Sequence, residues 1–217
     1  MKATVRVWDF PTRLGHWSMV CLFALSWWSA ERRMMDWHYS FGVGWVALVS
    51  FRLIWGIIGP STSRFGNFVR GPKTILAYLR GRNHAPIGHN PAGAYSVITM
   101  LLALVVQIGS GLFSTDTDGL ESGPLSFLIS FDAARLAARI HAWSFNVLIG
   151  LIMLHIAAIV AYRVLGGRNL VAPMISGRTH PSPGRGDEML PAGLPKLALA
   201  TLIAGTLAWE IGRGFGL

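Results

Sequence analysis

Two histidines, His141 and His155, stand fourteen residues apart within one long apolar segment of the 217-residue chain. If that segment is an α-helix, fourteen residues rise roughly 21 Å and turn to about 40° short of four full turns. Both imidazoles then lie on nearly the same face, separated by most of the hydrocarbon thickness of a bilayer. Ionisable side chains inside a membrane helix are costly and are commonly functional. The spacing therefore predicts ligands for two cofactors stacked at two depths.

The composition is typical of an integral membrane protein. Of all residues, 52% are hydrophobic and only 13% are charged, which argues against an ordinary soluble domain. We expect five apolar helices in the chain, at Leu14 to Ala30, Trp37 to Ile58, Ala94 to Phe113, Ile140 to Val164 and Leu194 to Ile211. The fifth is short enough to be either a span or an interfacial helix, and we favour a span.

The net charge of +9 does not indicate a nucleic-acid-binding protein. With the N-terminus inside, most Lys and Arg residues fall on the cytoplasmic side of the predicted spans, which is the positive-inside pattern. The basic residues therefore report topology and contact with anionic membrane lipid. The single cysteine, Cys21, excludes a Cys-x-x-Cys-His haem attachment and a four-cysteine iron–sulfur cluster within this chain.

Two further histidines supply partners at the same depths. On the predicted topology, His38 shares the outer level with His141, and His16 shares the inner level with His155. Two imidazoles at each level suit the two axial positions of a b-type haem iron. A single membrane histidine is more commonly a helix–helix hydrogen bonder, but that interpretation leaves the matched pairs unexplained. Zinc or copper is a weaker alternative, because two ligands per level leave a tetrahedral site underfilled.

Charged and polar residues near these levels form a second group of candidates. Arg52 follows the ligand of the second span by fourteen residues, so it is a candidate partner for a haem propionate; the alternative is an arginine that extends to the inner headgroups. Arg13 is a similar but weaker candidate. His84 and His89 lie in the inner loop, where they could belong to a quinone site or could simply be exposed loop histidines.

Glycines lie close to the predicted ligands in three of the spans: Gly42, Gly44, Gly109, Gly111 and Gly150. A flat macrocycle between helices requires the backbone to approach closely, and glycine permits this. The alternative is ordinary packing of small residues between membrane helices.

Three features of the chain together resemble the bacterial cytochrome b561 family and the related b-type cytochrome subunits of membrane-bound nickel–iron hydrogenases. The first is V-R-V-W-D-F-P-T-R-L-G-H-W around His16. The second runs from His38 to Gly56 and contains H-Y-S-F-G-V-G-W at its start and R-L-I-W-G at its end. The third is the pair His141 and His155. The resemblance covers about Val5 to Arg168. It implies that the four histidines ligate two haems b in a four-helix bundle, His16 with His155 and His38 with His141.

The resemblance also implies a function. Members pass electrons across the bacterial inner (cytoplasmic) membrane between the quinone pool and a periplasmic redox partner, either a c-type cytochrome or a hydrogenase-like subunit. One branch resembles superoxide:quinone oxidoreductases, and stand-alone activity of that type is the alternative. The superoxide hypothesis predicts a cationic funnel near the outer haem, where Arg135 and Arg139 precede His141. A haem-free transporter or structural protein is a third hypothesis, which leaves the paired histidines unexplained.

These arguments predict an all-α membrane protein. We expect a four-helix transmembrane bundle that holds two haems, plus a fifth C-terminal transmembrane helix, with the N-terminus in the cytoplasm. Residues 1–168 would form the di-haem domain, residues 169–193 a cytoplasmic loop rich in Gly and Pro, and residues 194–217 a transmembrane or interfacial helix that could dock a partner.

Overall fold

A computed structural model describes residues 4–69, 71, 73–74, 77, 88, 90–180 and 188–214. Helices make up 73% of the structure, which confirms the predicted all-α class. The two loop histidines proposed for a quinone site, His84 and His89, lie outside the described residues.

Seven α-helices and one short strand pair follow each other along the described chain. They are β1 (Val5–Arg6), α1 (Phe10–Glu31), α2 (Met35–Ile58), α3 (Phe65–Phe68), α4 (Pro91–Leu112), α5 (Phe131–Val164), α6 (Val171–Ser176), β2 (Arg178–Thr179) and α7 (Leu194–Gly212), with a 3₁₀ turn at Ser126–Leu128. The two strands pair antiparallel. The α5 helix extends from the predicted apolar segment back to Phe131, where Ser130 Oγ accepts a hydrogen bond from Ala133 N and caps the first turn.

Four of the helices are long and apolar enough to cross a membrane: Met35–Ile58, Gly93–Leu112, Phe131–Val164 and Leu194–Gly212. The protein is therefore a multi-pass membrane protein, and its C-terminal helix meets the criterion for a span. The α1 helix is not among the four, although its 22 residues reach roughly 33 Å. Its tryptophans, serines and His16 make it less hydrophobic than the others, so its crossing of the membrane stays a prediction.

The chain divides into two compact units. The first comprises Met1–Gly15, Arg52–Thr99 and Ile152–Leu199, and the second comprises His16–Phe51, Met100–Leu151 and Ala200–Leu217. The division predicted from sequence, at residues 168 and 193, stays a prediction.

In the first unit, hydrogen bonds tie the N-terminal segment to its surroundings. Val7 N donates to the carbonyl of Gly177 at 2.8 Å, and Gly177 has a φ of 79°, a conformation that favours glycine. The Asp9 carboxylate accepts from Thr12 N at 3.3 Å and from Trp55 Nε1 at 3.0 Å. Asp9 thus caps the start of α1 and fixes the indole near the end of α2.

In the second unit, α7 packs through a stripe of small side chains. Ala200, Ala204 and Ala208 are buried one turn apart, and Ala208 and Ile211 join Val46 of α2 in a hydrophobic cluster. The helix is also tied at its end, because the hydroxyl of Tyr39 donates to the carbonyl of Gly212 at 2.5 Å. This end of α7 is therefore integrated into its unit, and its alanine face is not available to a partner.

This packing makes α7 sensitive to side-chain size. We expect Ala208→Leu to lower the free energy of unfolding by about 1–3 kcal/mol, because the added atoms must enter a filled cluster. Ala198→Leu is the matched control, since Ala198 is on the same helix but is exposed. Thermal unfolding of the two purified variants in detergent measures the difference, and equal stabilities would show that α7 is not packed as described.

Candidate functional site

Within the second unit, the imidazole rings of His38 and His141 lie close together. His38 lies in the first turn of α2 and His141 lies in α5, and their ring centroids are 6.1 Å apart with the planes perpendicular. The topology argument had assigned these two residues to one level, and the structure brings them together. Their role as ligands stays a prediction.

The separation of the two rings matches that of two imidazoles on one metal ion. An imidazole nitrogen binds a first-row metal at about 2 Å, so two rings on opposite sides of one ion have centroids roughly 6 Å apart. Across the described parts of the chain, no three His, Cys, Asp or Glu side chains converge as a tetrahedral metal site requires. The pair therefore suits an ion that carries its remaining ligands with it, as haem iron does.

Both rings are held by the nitrogen that would not bind a metal. His38 Nδ1 lies 3.0 Å from the carbonyl oxygen of Ser26 in α1, and His141 Nδ1 lies 2.8 Å from that of Gln107 in α4. Because a carbonyl can only accept, each Nδ1 must carry the ring proton in the neutral form. Each Nε2 then keeps its lone pair, which is the tautomer that metal-ligating histidines adopt.

Serines of α1 support the His38 side of the pair. Ser29 Oγ donates to the Ser26 carbonyl at 3.0 Å and lies 3.3 Å from His38 Nδ1. Trp45 Nε1 donates to Ser26 Oγ at 3.1 Å. Ser29 and Trp45 are buried, so these polar groups satisfy one another away from solvent.

On the His141 side, the support comes from a residue that the sequence analysis missed. The side-chain amide nitrogen of Gln107 lies 3.1 Å from Nε2 and 3.2 Å from Nδ1 of His141. Ser144 Oγ donates to Gln107 Oε1, and the carbonyl of His141 lies 3.2 Å from the same hydroxyl. The available signal was the lone carboxamide in the apolar sequence L-L-A-L-V-V-Q-I-G.

Gly111 is the predicted glycine at which a ligand ring approaches the backbone. A Cβ at this position would lie 2.8 Å from Cε1 and 2.9 Å from Nδ1 of His141. At Gly42, Gly109 and Gly150 a Cβ would have no neighbour within 4 Å. The absence of a side chain at Gly111 is therefore what lets the His141 ring lie against α4.

The pair opens onto a cavity of about 590 Å³, which is within the usual size range of small-molecule and cofactor sites. Its walls come from α1, α2, α4 and α5 and include Gly42 and the aromatic rings of Phe23, Trp27 and Phe145. The rings of Phe23 and Phe145 stack with centroids 5.9 Å apart. The space between the two histidines thus has apolar, flat-sided walls that suit a planar macrocycle.

The charged residues that line this cavity are acidic: Glu31, Asp36 and Glu121. The two arginines that the superoxide hypothesis places at an outer funnel do not line it. Arg135 instead donates from Nη1 to the carbonyl of Thr115 at 2.9 Å, and Arg139 is exposed. The described lining of the cavity therefore carries negative rather than positive charge.

The inner pair predicted from the sequence is divided between the two units. His155 belongs to the first unit and His16 to the second, and both side chains are half-buried. The pairing of His16 with His155 stays a prediction. The helix on which the spacing argument depends is present, because α5 is continuous from Phe131 to Val164 and carries both His141 and His155.

Both arginines proposed for haem propionates have partners within the first unit. Arg13 donates from Nη1 to the carbonyl of Ile175. Arg52 contacts the carbonyl of Ser63 at 3.4 Å and lies over the ring of Phe65 at 5.1 Å. A contact with a propionate stays a prediction for each.

Comparison with known proteins identifies one family. The family model described as prokaryotic cytochrome b561 matches residues 7–177, which is well over half of the chain and includes all four predicted ligand histidines. No curated protein matches the chain.

Proposed function

The chain belongs to the prokaryotic cytochrome b561 family, and we propose that it is a di-haem b-type cytochrome of the bacterial inner membrane. In this role it transfers electrons between the quinone pool and a periplasmic redox partner. Family membership implies haem b and membrane electron transport. The observation that carries the proposal is the pair His38 and His141, 6.1 Å apart beside an apolar cavity.

The outer level of the proposal uses residues of the second unit. His38 and His141 hold one haem b, which supplies one-electron redox chemistry when bound. The carbonyls of Ser26 and Gln107 keep the proton on each Nδ1, so the two Nε2 atoms serve as ligands. The aromatic rings of Phe23, Trp27 and Phe145 in the cavity wall would pack against the haem.

The inner level is proposed from the sequence and the continuous α5 helix. His155 lies fourteen residues after His141 on that helix and would hold the second haem together with His16. Arg52 and Arg13 would bind its propionates, and His84 and His89 would contribute to a quinone site near it. The positive-inside pattern supports a cytoplasmic N-terminus, which places this level on the quinone side.

Electrostatics support a protein partner over superoxide as the outer reactant. The cavity is lined by Glu31, Asp36 and Glu121, and negative charge repels a small anion. The same charges attract a basic docking face on a c-type cytochrome or a hydrogenase-like subunit. We therefore prefer the electron-transfer subunit to the stand-alone superoxide:quinone oxidoreductase.

The proposal is tested on the purified protein and then in vesicles. We expect a b-type reduced-minus-oxidised spectrum with two haems per chain, and quinol-driven reduction of a basic c-type cytochrome. That rate should fall as ionic strength rises, because salt shortens the Debye length to about 8 Å at 0.15 M and screens the acidic face. A folded but haem-free protein would overturn the proposal. If superoxide reduces the haem and no electrons pass between the protein and the cytochrome, the protein is instead the stand-alone superoxide:quinone oxidoreductase.

A further inference from the structure

The Gln107 side chain lies where a polar group is costly. It is on α4, a helix apolar enough to cross a membrane, and a carboxamide there is destabilising unless its hydrogen bonds are satisfied. The structure supplies partners on a different helix, because Ser144 of α5 donates to Gln107 Oε1 and the amide nitrogen faces His141. The group is thus committed to one of the two ligand rings.

The backbone supports for the two rings are alike. The Ser26 carbonyl that accepts from His38 also accepts from Ser29 Oγ at 3.0 Å, three residues later. The Gln107 carbonyl that accepts from His141 also lies 3.0 Å from Ser110 Oγ, again three residues later, although this hydroxyl makes a shorter contact of 2.7 Å with the Val106 carbonyl. Each ring thus donates to a backbone carbonyl that also lies near a serine hydroxyl, and the His141 ring has the Gln107 carboxamide against it in addition.

The amide of Gln107 leaves the ligand lone pair free. Its nitrogen is nearly equidistant from Nε2 and Nδ1 of His141, at 3.1 and 3.2 Å. A nitrogen nearly equidistant from both ring nitrogens at this distance cannot lie in the ring plane without overlapping Cε1, so it lies over the face of the ring, away from the direction in which the Nε2 lone pair extends. An N–H dipole there withdraws electron density from the imidazole without competing for its ligating atom.

We propose that Gln107, held in place by Ser144, is a positioning residue for His141 that sets the ring orientation and raises the reduction potential of the haem bound there. Withdrawal of electron density weakens the imidazole as a donor, and a weaker donor favours the ferric state less. The inference rests on the proposed function, since it concerns a haem held by His38 and His141.

Gln107→Leu tests this inference, because it keeps the approximate volume and removes the amide. We expect both haems to be retained, the midpoint potential of one haem to fall, and the other to stay unchanged in a potentiometric titration. Gln107→Glu should keep the acceptor for Ser144 and lower the same potential further, since a carboxylate stabilises the ferric state. Asn146→Leu is the control: it removes an exposed carboxamide that donates to the carbonyl of Ala142 in its own helix.

The outcomes separate this inference from the proposed function. A wild-type protein without haem overturns both. If the wild-type protein holds two haems but the variants have unchanged midpoint potentials, the inference is overturned and the proposed function is not. The inference is also overturned if the midpoint potentials of both haems shift equally, or if Asn146→Leu shifts the potential as much as Gln107→Leu does. If Gln107→Leu does not accumulate, Ser144→Ala is measured instead; it should lower the same potential by a smaller amount, and no shift there overturns the inference.

Discussion

Replacement of His141 by alanine is expected to remove the haem at the outer level and to leave the inner one. The substitution deletes one of the two neighbouring imidazoles that would hold this haem, and His38 alone would not be sufficient to retain it. The b-type signal should fall to about half and transfer to an outer cytochrome should be abolished. His38→Ala should give the same spectrum, because it empties the other side of the same site.

His155→Ala is the companion change, and it should remove mainly the inner haem. Because His141 and His155 lie on one continuous helix, the comparison tests whether α5 is a shared wall of two independent sites. His180→Ala is the control, since its side chain is exposed. Haem content by the pyridine haemochrome assay and redox titration report both levels. Equal loss of both haems from either substitution would contradict independent levels.

The meeting of His38 and His141 could be predicted from the sequence because it depends on helix arithmetic. Hydropathy identifies α2 and α5 as spans, and the positive-inside pattern predicts which end of each lies outside. The position of each histidine along its span then gives its depth in the membrane. The same arithmetic also places Arg139, two residues before His141, about 160° away on the helix face. The cationic funnel could therefore have been doubted from the sequence, and the structure places Glu31 and Glu121 on the cavity instead.

Gln107 could not be predicted in the same way. A lone carboxamide in an apolar helix has no periodic companion, and its partners Ser144 and His141 are more than thirty residues away on α5. Such a contact depends on the rotation of two helices about their axes, which hydropathy does not specify. Hydropathy did mark α1, as the predicted segment Leu14 to Ala30, but it could not show that the carbonyl of Ser26 in this helix accepts from His38.

Gly111→Ala is expected to displace the His141 ring and to lower the occupancy of the outer haem severely. The new Cβ would lie 2.8 Å from Cε1, a distance at which one of the two groups must move. The ring cannot retreat freely, because its Nδ1 is held by the Gln107 carbonyl at 2.8 Å. Movement of the ring breaks that hydrogen bond and shifts Nε2 relative to the His38 ring.

The alternative response is a shift of α4, which costs about 1–3 kcal/mol as overpacking and spreads to neighbouring contacts. Gly109→Ala distinguishes the two effects. Gly109 lies on the same helix as Gly111, but an added Cβ there would meet no atom within 4 Å. Gly109→Ala should keep two haems and wild-type stability, whereas Gly111→Ala should lose one haem with only a modest drop in unfolding temperature. Retention of both haems at unchanged potentials in Gly111→Ala would mean that the His141 ring is not confined by α4. The role of glycine here would then be helix packing, as in any bundle of membrane helices.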